Sequence, residues 1–152
     1  MVHVPDQLVW ELIKKQSCFL KKKNGNTKRS GSISFSVEKG NLKSLNLLKY
    51  NGLANSKTID VVCTSENRAQ LVTKSASKAD KSPSKTFATN NINKDFRRAE
   101  NVILKQTTDV YYRRDLKAAA LGKYTKVYQA NRRAKGISKP VPCKKGRGTL
   151  SD

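Results

Sequence analysis

The chain has 152 residues, of which 32 are Lys or Arg and 11 are Asp or Glu, so its formal net charge at pH 7 is +21. Charge of one sign at this density destabilises a compact isolated monomer, and it favours a long polyanion, namely nucleic acid, as the partner. Hydrophobic residues make up 36% of the chain, which suffices for a small core, but no run approaches the roughly 18–20 apolar residues of a membrane span.

The first predicted element is a short amphipathic helix over residues 6–16. Its apolar side chains recur at spacings that place them on one helix face, and they are Leu8, Val9, Leu12 and Ile13. Asp6 is the candidate N-cap, because a side-chain oxygen at that position accepts hydrogen bonds from the free amides of the first turn. Charged residues interrupt the apolar stretch, so a signal peptide is not predicted.

Strands are predicted next, within the first 75 residues. The clearest is the one in which Ile33, Phe35 and Val37 alternate with serines, the pattern of a half-buried strand. Further strand-like segments are 18–20, 58–63 and 70–74. We expect a small antiparallel meander with the first helix packed across one face. The residues expected to form its core are Ile33, Phe35, Val37, Ile59, Val61, Leu12 and Ile13.

Two basic helices are predicted in the second half of the chain. Over 94–106, Phe96, Ala99 and Ile103 recur at helical spacing. A longer helix is predicted over 116–134, with Asp115 as its cap. Its apolar stripe consists of Leu116, Ala120, Tyr124, Val127 and Tyr128. The two tyrosines of this stripe are interpreted as core residues.

The predicted fold class is α+β, a small antiparallel sheet with an N-terminal helix, followed by basic C-terminal helices and a basic tail. Residues 1–75 form the helix-and-sheet domain and 94–135 the basic helical region. Residues 76–93 are predicted to be a flexible basic connector, in which 86–88 can add a short edge strand, and 136–152 a tail that is disordered or ordered by RNA. Both segments are rich in charge and lack a hydrophobic period.

Clustered basic residues are the strongest functional signal. One cluster alone is usually a solvated face, but six clusters without balancing acids favour polyanion binding, since exposed charged faces normally mix both signs. Lys and Arg neutralise phosphates, and Arg can do so with two parallel hydrogen bonds. The candidate RNA-binding residues are Lys21, Lys22, Lys23, Lys28, Arg29, Arg97, Arg98, Arg113, Arg114, Lys126, Arg132, Arg133, Lys144, Lys145 and Arg147.

RNA is favoured over DNA because no helix-turn-helix, zinc finger or basic zipper is readable in the sequence. The RNA-recognition-motif and KH signatures are absent as well, and basic segments around a small domain suit an irregular RNA surface. Tyr111 and Tyr112 are candidates for stacking on unpaired bases, with packing inside the protein as the equal alternative.

Catalysis, metal binding and cofactors are not predicted. The three cysteines, Cys18, Cys63 and Cys143, form no CxxC pair, and His3 is the only histidine. No Walker loop, nucleophile elbow or acid/base pair is present, so the chain is not expected to be an enzyme or to have a small-molecule substrate. Peripheral membrane binding is not expected either, because no lipid-anchor signal accompanies the basic segments.

An ordered set of short segments resembles the eukaryote-specific ribosomal protein family numbered twenty-eight of the large subunit. No single segment is specific, but their order is, and the similarity covers about residues 8–134. The segments are Val9-Trp10-Glu11-Leu12-Ile13-Lys14, Cys18-Phe19-Leu20-Lys21, Asn41-Leu42, Tyr50-Asn51-Gly52-Leu53, Lys57-Thr58-Ile59, Asn91-Ile92-Asn93-Lys94 and Arg114-Asp115-Leu116-Lys117-Ala118-Ala119-Ala120.

The resemblance implies a non-catalytic structural constituent of the large subunit that packs on ribosomal RNA beside neighbouring ribosomal proteins. It implies a place in cytoplasmic ribosomes, with assembly beginning in the nucleolus. The alternative is a ribosome-assembly factor with a related N-terminal RNA-binding domain. That factor has more cysteines and an acidic C-terminal region, which this chain lacks, so the ribosomal protein is favoured.

Overall fold

The computed structural model describes the backbone of residues 4–25, 27, 29, 31–79, 82–92 and 95–137. It confirms the predicted α+β class. In chain order the elements are α1 (Asp6–Ile13), β1 (Leu20–Asn24), β2 (Ile33–Ser36), β3 (Ile59–Cys63), β4 (Ala69–Lys74), α2 (Ala76–Ala79), a 3-10 turn (Pro83–Lys85), β5 (Phe87–Ile92), α3 (Phe96–Gln106), a second 3-10 turn (Arg114–Leu116) and α4 (Lys117–Ala134).

Three strands form the central antiparallel sheet, in the order β3-β4-β5. The two strands predicted at 58–63 and 70–74 are confirmed, and they pair with each other in antiparallel orientation, with Val61 opposite Leu71. The edge strand predicted over 86–88 is longer than expected, because β5 pairs with all of β4. Part of the predicted connector, 76–93, therefore belongs to the sheet, and the mobility of the rest remains a prediction.

The core lies between this sheet and the C-terminal helices. Helix α4 contacts β3, β4 and α3, and both helices predicted in the second half are confirmed. Sheet and helix residues share a single cluster, so the predicted boundaries at 75 and 94 do not separate two cores. The buried residues of this cluster are Leu42, Ile59, Val61, Ala69, Leu71, Ile92, Ala99, Ile103, Leu116, Ala120 and Tyr124.

Helix α1 does not cover the sheet, contrary to the prediction. It has no buried residue, it ends at Ile13 rather than at 16, and Leu12 is 66% exposed. Asp6 is not the N-cap, since its carboxylate instead accepts hydrogen bonds from the Ser56 amide (3.1 Å) and hydroxyl (3.3 Å). Helix α4 occupies the sheet face, because its longer apolar stripe buries more surface there than two turns of α1 can.

Strands β1 and β2 form a separate antiparallel hairpin rather than part of a meander. The expectation that Ile33 and Val37 belong to the core is wrong, since they are 52% and 54% exposed, and Phe35 is only half-buried. Ser36 is buried in their place. Its hydroxyl donates to the Glu38 carboxylate, so a polar contact decides which face of β2 turns inward.

Glu38 is the centre of a buried polar network and is itself only 3% exposed. Its Oε1 accepts from Asn41 Nδ2 (3.0 Å), Asn51 Nδ2 (2.8 Å) and the Gly52 amide (3.1 Å). Oε2 accepts from the Ser36 hydroxyl. Hydrogen bonds to a charged acceptor are stronger than neutral ones, so this carboxylate fixes the loop that joins the β1–β2 hairpin to the sheet.

Two glycines allow this loop to close. A Cβ on Gly52 would lie 2.0 Å from the Lys39 carbonyl oxygen, so no side chain fits there without moving the backbone. Gly40 has a φ of +86°, which non-glycine residues rarely adopt, and a Cβ there would lie 2.7 Å from Thr58 Oγ1. In the part of the chain that the structure describes, no helix is long and apolar enough to cross a membrane.

Candidate nucleic-acid interface

Most of the predicted RNA-binding residues that the structure describes have exposed side chains. These are Lys21, Arg29, Arg97, Arg98, Arg114, Lys126, Arg132 and Arg133. Lys28, Lys144, Lys145 and Arg147 lie outside the described residues, as do the side chains of Lys22 and Lys23. The exposed cations come from β1, the β1–β2 connection, α3, the second 3-10 turn and α4, so the positive charge is contributed by many separate elements of the fold.

Arg97 and Arg98 lie in the first turn of α3, and both are exposed. Ala99 and Ile103 occupy the buried face of the helix, which leaves the two guanidinium groups in solvent. Arg98 Nε lies 3.6 Å from Asp95 Oδ1, but the arginine side chain is 81% exposed. An exposed pair of this kind contributes little, so both arginines are available to a phosphate.

Arg113 belongs to the fold rather than to the free basic surface, contrary to its predicted role. Its side chain is 16% exposed and its backbone is left-handed, with φ +47°. The guanidinium donates to the carbonyls of Lys49 (2.7 Å) and Lys57 (2.8 Å), and it forms two 3.0 Å hydrogen bonds with Asp115. These bonds hold the pKa of the Asp115 carboxyl below its ordinary value. The sequence predicted Asp115 as the N-cap of α4, and this prediction is wrong, because no side-chain hydrogen bond caps the helix.

Two lysines also have structural partners. Lys74 Nζ donates to three backbone carbonyls within residues 52–55, at 2.8–3.1 Å. Lys123 pairs with Asp60, whose side chain is 7% exposed. Burial raises the pKa of the Asp60 carboxyl, although the neighbouring Lys123 ammonium acts in the opposite direction. Formal charge therefore overstates the number of cations that an external anion can reach.

Exposed cations lie over aromatic rings at several points on the surface. The distances from the cation to the ring centre are 4.7 Å for Lys39–Phe87, 5.4 Å for Lys43–Tyr50, 6.0 Å for Lys49–Tyr50, 5.9 Å for Lys57–Tyr112, 5.1 Å for Arg114–Tyr111 and 6.0 Å for Arg132–Tyr128. Cations beside aromatic faces are the combination that binds single-stranded nucleic acid. The four lysines among these cations are isolated in the sequence, so the search for basic clusters missed them.

The tyrosines divide into exposed and structural residues. Tyr111 is 77% exposed and can stack on a base. Tyr112 is half-buried, and its hydroxyl accepts from the Thr58 amide and donates to the Lys74 carbonyl. Tyr124 is 1% exposed, which confirms its predicted core position, and burial raises its pKa to about 12. Tyr128 packs partly buried against the same core.

A basic groove runs between the loop over residues 42–50 and helix α4. We call it the lysine groove, and its volume is about 540 Å³. Lys43, Lys49 and Lys126 are exposed along it, and the Tyr50 ring forms part of its wall. Small residues, Ala118, Ala119 and Gly122, line its α4 side. Lys123 and the Asp115 carboxylate also line the groove, but each is paired within the protein. The three exposed lysines therefore give this concave surface a positive charge suited to a phosphate backbone.

The described residues contain no group of three or more His, Cys, Asp or Glu side chains that could hold a metal ion. Cys18 and Cys63 are free thiols, and the Cys63 thiol donates to Asn131 Oδ1 at 3.0 Å. The chemistry that the described surface offers is therefore cationic and aromatic.

A model of the Ribosomal L28e protein family matches residues 8–130 of the chain. The chain belongs to this family. Among relatives of this L28e family member, Large ribosomal subunit protein eL28 of Dictyostelium discoideum is 37% identical over 131 residues, which cover 84% of the chain and 89% of that protein. Large ribosomal subunit protein eL28 of Caenorhabditis elegans is 50% identical over 56 residues, which cover 37% of the chain and 40% of that protein.

Membership in the L28e family confirms the resemblance that the ordered segments carried. Because the family consists of ribosomal proteins, it also establishes that this L28e chain is a ribosomal protein and not an enzyme. The match begins near the start of α1 and ends within α4. It therefore includes Arg97, Arg98 and the lysine groove, and it stops short of Arg132 and Arg133.

Proposed function

We propose that this L28e protein is a structural constituent of the large ribosomal subunit and that it binds ribosomal RNA through contacts between its exposed Lys and Arg side chains and phosphates. The relatives named as large-subunit proteins support the assignment to that subunit. The observation that carries the RNA-binding role is the lysine groove, in which Lys43, Lys49 and Lys126 line one concave surface beside an aromatic ring.

The proposed mechanism is binding and positioning. Cations on several elements of the fold neutralise phosphates of different RNA segments and allow them to approach one another, while the rigid sheet and helices keep the cations at fixed separations. Arg97 and Arg98 contact one RNA segment, and the lysines of the lysine groove contact another. Neighbouring ribosomal proteins complete the environment in cytoplasmic ribosomes, after assembly that begins in the nucleolus.

Salt dependence tests the electrostatic mechanism. Affinity for a large-subunit ribosomal RNA transcript, measured by filter binding, should fall by roughly 10³ or more between 50 and 200 mM salt if about six phosphates are contacted. An affinity that does not change with salt would refute the proposal.

A triple variant tests the groove within that mechanism. Lys43→Gln, Lys49→Gln and Lys126→Gln together should reduce the salt slope by about 0.9 for each phosphate that the protein no longer neutralises. The matched control neutralises three exposed lysines elsewhere, Lys15, Lys78 and Lys85. Equal slopes for the two triple variants would show that the groove has no special part in binding.

Fractionation of cell lysate on a sucrose gradient separates the proposal from its alternative. Near-stoichiometric presence in mature large subunits, whole ribosomes and polysomes is expected of a structural constituent. Presence only in nuclear precursor particles would identify a ribosome-assembly factor instead.

A further inference from the structure

A second concave site lies at the other end of α4 from the lysine groove. It opens between the β3–β4 turn, the end of β5 and the last turns of α4, and its volume is about 640 Å³. We call it the α4 pocket. Among the residues that line it are Arg68, Ala69, Ile92, Tyr128, Arg132 and Lys135. Its size falls within the range of sites that enclose small organic groups.

The floor of the α4 pocket is mostly apolar, although the buried Asn131 also lines the pocket, and its rim is cationic. Ala69 and Ile92 are 3% and 2% exposed and belong to the core, so the floor is rigid. Arg68, Arg132 and Lys135 are exposed around it. No carboxylate is found among the described residues that line the pocket.

An acidic residue lies close to one of the rim cations. Glu66 Oε2 lies 3.4 Å from Arg68 Nε, outside the lining, and both side chains are more than half exposed. Such an exposed pair is weak, so the rim keeps a positive potential.

Planar groups follow one another along α4 beside this floor. Tyr124, Tyr128 and Arg132 are four residues apart, and the two rings are stacked with centres 6.1 Å apart and planes inclined by 24°. The Arg132 guanidinium carbon lies 6.0 Å from the Tyr128 ring centre, at the outer limit of a cation–π contact, and the arginine side chain is exposed, so it can move off the ring when a base binds. The row formed by Tyr124, Tyr128 and Arg132 therefore ends in an aromatic ring and a guanidinium group. Both kinds of group stack on nucleobases.

We propose that the α4 pocket receives one unpaired nucleotide of the bound RNA. The base lies against the Tyr128 ring over the floor of Ala69 and Ile92, and its phosphate is held by Arg132 and Lys135, with Arg68 opposite. A nucleotide combines a flat apolar base with an anionic group, which matches an apolar floor inside a cationic rim. Paired bases are already stacked and cannot enter, so the site selects single-stranded RNA. This inference rests on the proposed RNA-binding function.

A fluorescent nucleotide tests the proposal directly. The probe is a single-stranded heptaribonucleotide with 2-aminopurine at its centre, whose emission is quenched when the base stacks on an aromatic ring. The full-length protein should quench it on binding. Tyr128→Leu, which keeps an apolar side chain on the helix, should abolish the quenching and weaken single-strand binding roughly 10-fold. Affinity for a blunt RNA duplex should stay within about two-fold, since stacking contributes nothing to it.

The control for the aromatic substitution is Phe19→Leu. Phe19 is an aromatic residue that is 38% exposed, and it lies outside the α4 pocket. This variant should quench the probe as the unaltered protein does. Quenching that survives Tyr128→Leu and is lost in Tyr111→Leu, at the other tyrosine that can stack on a base, would overturn the assignment of the base to the α4 pocket.

A charge variant keeps the test decisive if Tyr128→Leu fails to fold. Arg132→Gln with Lys135→Gln removes two rim cations, and Arg133→Gln with Lys117→Gln removes two exposed cations at the two ends of α4, away from the rim. The rim variant alone should lose its preference for single strand over duplex. Equal preference in both double variants would overturn the proposal.

The two hypotheses fail in different ways. If the unaltered protein binds neither RNA in a salt-dependent manner, the proposed function fails and the nucleotide site fails with it. If the heptaribonucleotide and the duplex both bind with a steep salt slope, but Tyr128→Leu does not change the emission of the bound probe, only the nucleotide site is overturned.

Discussion

Removing the Glu38 carboxylate is expected to destabilise the protein more than removing most single hydrophobic contacts. The substitution Glu38→Ala leaves the Ser36 hydroxyl, the Asn51 amide group and the Gly52 backbone N–H without the acceptor they use in the folded state. Asn41 keeps one partner, because its Nδ2 also donates to the Leu45 carbonyl at 2.9 Å.

The magnitude follows from those three donors. Each buried donor left without a partner costs about 1–3 kcal/mol, so Glu38→Ala should cost about 3–9 kcal/mol, before any relief from water entering the space. The total stability of a small domain is about 5–15 kcal/mol. Glu38→Gln keeps one oxygen acceptor, for the donors that now reach Oε1, and places an NH2 donor where Oε2 accepts from the Ser36 hydroxyl. The hydroxyl can rotate to accept instead, so the loss of the charge and of one acceptor predicts a cost of about 1–2 kcal/mol.

Urea denaturation followed by far-ultraviolet circular dichroism measures both free energies of unfolding. The glutamine variant is the matched control, because its side chain has nearly the same size and shape. If Glu38→Ala costs less than about 1 kcal/mol, or if the two variants are equally stable, the carboxylate does not organise the loop over residues 36–52 and the reasoning is wrong.

Three further outcomes are expected. Ile103→Ala should lower the free energy of unfolding by about 2–5 kcal/mol in urea denaturation. Leu12→Ala should change it by no more than about 0.5 kcal/mol, because Leu12 is 66% exposed. Similar losses for the two variants would contradict the assignment of the core. Tyr124 keeps its proton in the folded state up to a pKa of about 12, against about 10 when unfolded, so stability held below pH 10 should fall by up to about 3 kcal/mol as the pH rises to 12. Because the chain has five tyrosines, the measurement is the phenolate absorbance that disappears in Tyr124→Phe, and its appearance near pH 10 in the folded protein would contradict the prediction. Reversing the charge of Arg97 and Arg98 should leave the melting temperature within about 2 °C but lower recovery in gradient-purified subunits, and a large drop in melting temperature would mean that they are structural.

The elements that could be predicted from the sequence are those with a clear period. The alternation of Ile59 and Val61 and the spacing of Ala99 and Ile103 predicted β3, its partner strand and α3 correctly. Exposure of Arg97 and Arg98 followed from the same spacing, since the apolar residues take the inward face. Local sequence decides these features, and tertiary contacts only reinforce them.

Features that depend on distant contacts could not be predicted. The pair Arg113-Arg114 looks like Arg97-Arg98 in the sequence, but Arg113 reaches carbonyls 56 and 64 residues away. Amphipathicity likewise showed that α1 has an apolar face without showing what, if anything, packs on it. The polar network of Glu38 joins residues that follow no period, so neither its buried carboxylate nor the resulting exposure of Ile33 was visible in advance.

The close approach of Gly52 to the Lys39 carbonyl has a consequence for how related genes can diverge. Any replacement at position 52 puts a Cβ 2.0 Å from a backbone oxygen, and a backbone atom cannot rotate away as a side chain can. Gly122, in contrast, has nothing within 4 Å of such a Cβ, and alanine there would improve helix propensity by about 1 kcal/mol. The two glycines are thus under opposite steric constraints, and among related genes we expect position 52 to stay glycine and position 122 to vary.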